Sequence, residues 1–225
     1  MKLGVAICAY YGHIPHLKTL LNSIQRQTRL PDHVVVHCSS SKPEDIPYDV
    51  AEYSFPLTIQ TDPEKRNASQ NRNLAARLLQ TDLISFFDAD DIMHPQRLEF
   101  VEKGFESDVQ IVLHNYASHM VGLHEAPEWH RNVLTRCRWG STIFTRHIPG
   151  AAVHNSQPTV RRAIWEQIPF REEDMYRAKE DTVFCTDVIM AYPSQTLYCH
   201  NVLSQYTPSR TMEAFYINEI YKNDI

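Results

Sequence analysis

Two hydrophobic rhythms run along this chain, and the change from one to the other marks its elements. Leu3–Tyr10 is a run of valine, isoleucine and small residues that predicts a strand, closed by Gly12 and Pro15. His16–Gln27 then places Leu17, Leu20, Leu21 and Ile24 at i, i+3, i+4 and i+7, the stripe of an amphipathic helix. Pro31-Asp32 breaks that pattern, and His33–Cys38, with Val34-Val35-Val36, predicts a second strand. Strand, helix and strand in this order make a βαβ unit, whose crossover is right-handed. Ser39–Pro56 is polar and proline-rich and reads as a loop, with a third strand at Leu57–Gln60.

Ala68–Leu79 predicts a second helix with Leu74, Ala75, Leu78 and Leu79 inward. Its first turns carry Gln70, Asn71, Arg72 and Asn73, which reads either as a face that meets a ligand or as a solvated helix start. Leu83-Ile84-Ser85-Phe86-Phe87 is a short apolar run of the kind a buried central strand shows. A helix from about Pro95 to Ser107 and a strand at Val109–His114 follow. Asn115–Gly150 is weakly patterned, with one strand expected around Ser141–Thr145 and a tight backbone passage at Gly150-Ala151-Ala152. A long segment of this kind inside a compact domain is often a binding loop. Order resumes over Pro158–Ile168, then a helix at Thr182–Ala191, a short strand at Thr196–Cys199, and a terminal helix at Thr211–Tyr221. The alternation of strands and helices predicts an α/β fold with a mostly parallel central sheet flanked by helices.

The apolar strand ends in Asp88-Ala89-Asp90-Asp91, three carboxylates within four positions. In open α/β sheets ligands bind beyond the carboxyl ends of the strands. Like charges held this close repel unless a cation neutralises them, and oxygen ligands of this type suit Mg²⁺ or Mn²⁺. The plainer alternative is a solvated acidic turn that leads into the helix at Pro95.

Composition narrows the field. At 225 residues, 43% hydrophobic and 22% charged, the chain has the profile of a soluble globular α/β domain. The net charge of −5, with Arg161-Arg162 as the longest basic cluster, argues against a nucleic-acid surface. No run approaches the ~20 apolar residues of a membrane span. Lys2 followed by Leu3–Tyr11 lacks a small-residue cleavage site and reads as a strand rather than a signal peptide. Five cysteines without paired spacing fit free thiols and a cytoplasmic location. His114, His119, His124 and His130 match neither one helix face nor a zinc pattern.

Several of these pieces line up in order with one family. Ala9-Tyr10-Tyr11 with Ser23-Ile24 and Gln27-Thr28, then Gln70-Asn71-Arg72-Asn73-Leu74-Ala75, then Phe87-Asp88-Ala89-Asp90-Asp91 with Pro95, then Arg161-Arg162 and Glu180-Asp181-Thr182-Val183-Phe184, resemble the motifs of family-two-like glycosyltransferases. The resemblance runs from about Lys2 to His200 and implies the GT-A fold as a single domain over 1–225. It implies a nucleotide-binding half at about 1–115 and an acceptor-binding half at about 116–210. It implies a nucleotide-sugar donor, usually a UDP-sugar, with Mn²⁺ or Mg²⁺, and transfer of a hexosyl or deoxyhexosyl group to a hydroxyl, such as that of a glycan. By analogy Tyr11 stacks on the base, unless it is a core tyrosine; Ala9 and Ser39 lie at the nucleotide, and Arg72 sits near the diphosphate. Asp88, Ala89 and Asp90 frame the ribose and metal, with Asp90 as direct metal ligand and His200 completing the metal site. Asp181 matches the catalytic base of an inverting displacement; the competing role for an acid there is to cap the helix.

One departure stands out. Many members carry an acidic pair and Gly-Ser after the second strand, where this chain has Cys38-Ser39-Ser40-Ser41. A haloacid-dehalogenase-type phosphatase shares the start of the acidic motif, but Asp91 takes the place of its threonine or valine. A calcium loop fails at Ile92 and Met93, and a pyrophosphorylase would need glycines that Ala9-Tyr10-Tyr11-Gly12 lacks. A non-catalytic binding module is disfavoured by the intact Asp88, Asp90 and Asp181.

Overall fold

A computed structural model describes residues 1–105, 108–118, 134–137, 156–176 and 179–206. Strand β1 (Leu3–Tyr10) is buried along its length except at Tyr10. It pairs in parallel with β2 (His33–Ser39) on one side and β4 (Leu83–Asp88) on the other, and β3 (Leu57–Asp62) extends the parallel set beyond β2. This half of the sheet has the predicted parallel character. Beyond β4 the sheet becomes mixed. The three-residue β8 (Thr159–Arg161) lies antiparallel between β4 and β6 (Ile111–Ser118). Strand β9 (Thr196–Tyr206) runs parallel to β6, and antiparallel to both β5 (Ile92–Met93) and β7 (Leu134–Cys137).

The strands are buried on both faces, yet their side chains still alternate between two cores. Leu3, Val5, Ile7, Val34, Val36, Leu83 and Phe87 pack with Leu17, Leu20, Leu21 and Ile24 of α1 (Ile14–Gln25) and with Leu98 and Val101 of α3 (Arg97–Gly104). Ala6, Val35, Ile84 and Phe86 face the other way. They meet α2 (Ala68–Leu78), α4 (Arg162–Gln167) and α5 (Glu180–Ala191). Gly4 lets the end of α2 approach β1, because a Cβ there would stand 2.7 Å from Leu79 Cδ2 and from Thr81 Oγ1.

The structure departs from the sequence pattern mainly in the second half. Strand β9 has eleven residues rather than four, since Asn201–Tyr206 is held by backbone pairing with β5 and β6. The Ser39–Pro56 loop contains two short 3₁₀ turns, Pro43–Asp45 and Val50–Glu52. The expected strand at 141–145, the passage at 150–152 and the helix at 211–221 lie outside the described residues. No helix among those described is long and apolar enough to cross a membrane.

Candidate functional site

The carboxyl ends of β1 and β2 open onto a cleft of about 1000 Å³. Its walls include Cys8, Ala9, Tyr10 and His13 from the first strand and turn, Ser39 and Ser40 after β2, and Glu180 of α5. Ser40 has a φ of 54°, so the chain turns sharply behind β2 and presents the serines at the cleft.

The polar start of α2 has three inward-facing jobs. Its first turn is secured by a capping box, in which Asn67 and Gln70 exchange hydrogen bonds. Asn71 Nδ2 then donates to the Ala9 carbonyl and to Ser39 Oγ, both at 3.0 Å, tying β1 to the end of β2. Asn73 Nδ2 donates to the Phe170 carbonyl and Glu172 Oε1, and its Oδ1 accepts from Trp165 Nε1. Between them, Arg72 is 4% exposed and bridges two acids: Nη2 to Asp88 Oδ1 at 3.1 Å and Nη1 to Glu180 Oε1 at 2.7 Å. Burial disfavours its charge, but Cys8, Asp88, Glu180 and Asp181 around it outweigh that and hold its pKa well above the usual value.

The acidic motif surrounds this guanidinium. Asp88 also accepts from the Cys8 thiol at 3.2 Å. Asp90 is pushed up to about 7, first by burial and then by the neighbouring Asp88. Asp181, at the start of α5, is likewise pushed up to about 7 by burial, against the pull of Arg72. Its Oδ1 accepts the backbone N–H of Thr182 at 2.6 Å, so it does serve the helix start. Asp91 is turned inward: it accepts from Ser156 Oγ, which also accepts the Asp88 N–H at 3.2 Å. Arg97, wholly buried, donates to the Ser156 carbonyl, to Ser85 Oγ and to His114 Nε2. Sequence reasoning missed this supporting network, because its members are isolated polar residues far apart in the chain.

Not every expected residue converges. Tyr11 is 57% exposed, which excludes a core role, and it lines a small neighbouring hollow with Ser40, Ser41 and Lys42. Tyr10, not singled out from the sequence, lines the main cleft. Ala89 is fully buried. Arg72 lies beneath the acids rather than open to the cleft. His200 is exposed on β9, with its ring edge-on to Tyr198 at 5.2 Å. Gln205 is the partner of Ile92, and since β9 bulges between Cys199 and Ser204, the stretch from Cys199 to Gln205 spans only the three steps from His114 to Ala117 on β6, so His200 stands roughly 10 Å of strand from the start of β5. His13, which the sequence did not flag, sits closer: its Nε2 is 3.9 Å from Asp90 Oδ2.

Among the described residues no three His, Cys, Asp or Glu side chains converge as a metal cage. The donor set does fit a hard cation that takes most of its ligands elsewhere. Mg²⁺-type sites often use one or two carboxylates plus substrate phosphates. Asp88 and Asp90 are placed for that, and their unfavourable proximity is what a cation relieves.

Comparison with known proteins bears on the family and the fold. An uncharacterized glycosyltransferase of Haemophilus influenzae is 30% identical over 101 residues, 45% of this chain and 34% of the relative. Among solved structures, S. aureus TarS 1-349 in complex with UDP-GlcNAc superposes with a TM-score of 0.70 at 18% identity, covering 93% of this chain and 59% of that one. The mannosyltransferase PcManGT from Pyrobaculum calidifontis, in complex with GDP-Man and Mn²⁺, gives 0.67 at 18% identity, covering 97% and 60%. The chain thus spans about a third of the curated relative and about three-fifths of these solved chains. Its curled mixed sheet is the GT-A fold of those neighbours. The family model for Glycosyl transferase family 2 matches residues 5–200, and the chain belongs to that family.

Proposed function

We propose that this domain transfers a sugar from a nucleoside diphosphate donor, a UDP-sugar, to an acceptor hydroxyl, with inversion at the anomeric carbon and with the help of Mn²⁺ or Mg²⁺. The observation that carries this reading is the convergence of Asp88, Glu180 and Asp181, with Asp90 close by, around the buried guanidinium of Arg72, beside an open cleft. An excess of carboxylates there suits a cation and a base, and the fold neighbours bind UDP-GlcNAc or GDP-Man.

In this reading the nucleotide lies along Ala9, Tyr11 and Ser39, with Tyr11 stacking on the base. Ser39 and Asn71 replace a carboxylate with neutral groups at the base edge. Asp88 and the Ala89 backbone hold the ribose, and Asp90 is the direct metal ligand; the further ligand is a histidine, His200 by family resemblance or His13 by its place beside Asp90. Arg72 acts on the donor through Asp88 and Glu180, which it fixes. The bound cation neutralises charge on the diphosphate leaving group. Asp181 accepts the proton of the acceptor hydroxyl as its oxygen bonds to the anomeric carbon and the bond to diphosphate breaks. The acceptor is assigned to residues 116–210, and a hexose or deoxyhexose on a glycan fits the family. A cytoplasmic site of action accords with the free thiols of Cys8, Cys38, Cys185 and Cys199.

A thermal-shift screen of UDP- and GDP-sugars, each with and without Mn²⁺, tests this. Ligand at a hundredfold excess over Kd stabilises the folded state by about 2.7 kcal/mol. A UDP-sugar shift that grows with Mn²⁺ is expected, and no shift with any donor would refute the assignment.

A further inference from the structure

We propose that His13 is a second protein ligand to the divalent cation, joining Asp90 through Nε2. The proposal rests on the cation-dependent reading above and extends it to a residue outside the acidic motif.

The turn that carries His13 is built to hold its ring still. Tyr11–His13 form a 3₁₀ turn directly after β1. The Tyr10 ring folds back over that turn and meets the His13 ring edge-on, with centroids 4.2 Å apart. Gly12 makes this possible, since a Cβ at that position would stand 2.5 Å from the Tyr10 ring. The His13 side chain is 22% exposed and lines the main cleft. It is therefore a positioned group in the cleft wall.

Its polar atoms lack ordinary partners. Nδ1 is buried with no hydrogen-bond partner among the described residues. Nε2 faces Asp90 Oδ2 at 3.9 Å, too far for a hydrogen bond. A half-buried imidazole in this state calls for a ligand. The separation suits a shared cation. Two donors each about 2.1 Å from an octahedral ion lie about 3.0 Å apart when adjacent and about 4.2 Å apart when opposite. The observed spacing falls between these limits, so a small movement of either side chain brings both into one coordination shell. Imidazole is a suitable partner for Mn²⁺ beside carboxylate and phosphate oxygens. The β-sheet register favours His13 over His200, which stands further along β9 from the acidic loop.

Electron spin echo spectroscopy of Mn²⁺ bound to the full chain reads directly coordinated nitrogen, and it does so without turnover. The samples contain Mn²⁺ with UDP and, separately, Mn²⁺ with GDP. Wild type is expected to show nitrogen modulation that disappears in His13→Gln and persists in His200→Gln. The same His13→Gln protein should lose at least tenfold in Mn²⁺ affinity with nucleotide present, while metal-free UDP binding and the far-UV spectrum stay unchanged. Bound Mn²⁺ with an all-oxygen spectrum in wild type overturns the inference and leaves the cation-dependent reading standing. So does nitrogen modulation that survives His13→Gln or follows His200. No Mn²⁺ uptake with either nucleotide overturns both. If His13→Gln fails to fold, the His200→Gln spectrum still separates the two histidines: retained modulation supports His13, and lost modulation overturns it.

Discussion

Glu180 and Asp181 are neighbours in the chain, yet the fold gives them different chemistry. Glu180 is tied to Arg72 at 2.7 Å, so its side chain is aimed at the buried guanidinium. Asp181 has no such contact at that distance, and burial lifts it to about 7, where a base at neutral pH is most useful. Asp181→Asn retains the acceptor atom that receives the Thr182 N–H but cannot take a proton. Its kcat should fall by about 10²–10⁴-fold, with Mn²⁺–UDP binding nearly unchanged by calorimetry. Wild-type kcat should rise with pH through about 7 and level off above it, because only ionised Asp181 is active. The effect on stability has the opposite sign. A carboxyl with a folded pKa above its unfolded value keeps its proton in the native state, so its contribution declines between about pH 4 and 7. Tyr11 gives a simpler prediction. At 57% exposure, Tyr11→Ala should leave stability within about 0.5 kcal/mol but weaken nucleotide binding by ~1–3 kcal/mol in titrations.

At the scale of elements, the acidic loop is a short bridge between β4 and β5, pinned from behind. Ser156 links Asp91 to the Asp88 backbone, and Arg97 anchors the Ser156 carbonyl. Ser156→Ala would leave buried Asp91 short of a donor, at a cost of about 1–3 kcal/mol by urea unfolding. Because Asp88 moves with that loop, nucleotide affinity should fall as well, and unchanged affinity would separate the network from the site. The sequence made β1 to β4 and the longer helices α1, α2, α3 and α5 readable, because buried faces impose a period on them, whereas the six-residue α4 showed only as part of an ordered stretch. Strand β5, with two residues, and β8, with three, are too short to carry a period. The end of β9 alternates irregularly and is held by backbone pairing, with Leu203 alone of its apolar residues packed against Phe100 of α3 and Cys199. At the site the acids were readable because they cluster in sequence. Arg97, His114 and Ser156 were not, since each is a lone polar residue whose meaning depends on partners up to 68 positions away.

At the scale of the whole molecule, Arg72 is the joint between the first parallel strands and α5. It links Asp88, 16 positions on, to Glu180, 108 positions on, with all three side chains less than one-fifth exposed. The family match runs from residue 5 to residue 200 and so takes in both ends of this joint. Arg72→Met would keep most of the buried volume and leave two carboxylates facing each other without a cation. Breaking a buried ion pair from one side typically costs about 3–5 kcal/mol, because the orphaned charge stays desolvated. Urea unfolding at pH 8 should show a loss of that order. At pH 5 the orphaned acids can take up protons in the folded state, so the loss should be smaller there. Adding Glu180→Gln to Arg72→Met removes one of the stranded charges, and the double variant should recover part of the stability at pH 8. Equal losses at both pH values, or no recovery in the double variant, would mean that Arg72 contributes by packing against Phe170, whose ring lies 5.4 Å from its guanidinium carbon. The expected pattern would instead mark the charge triad as what holds the acidic motif of β4 against the Glu180-Asp181 end of α5.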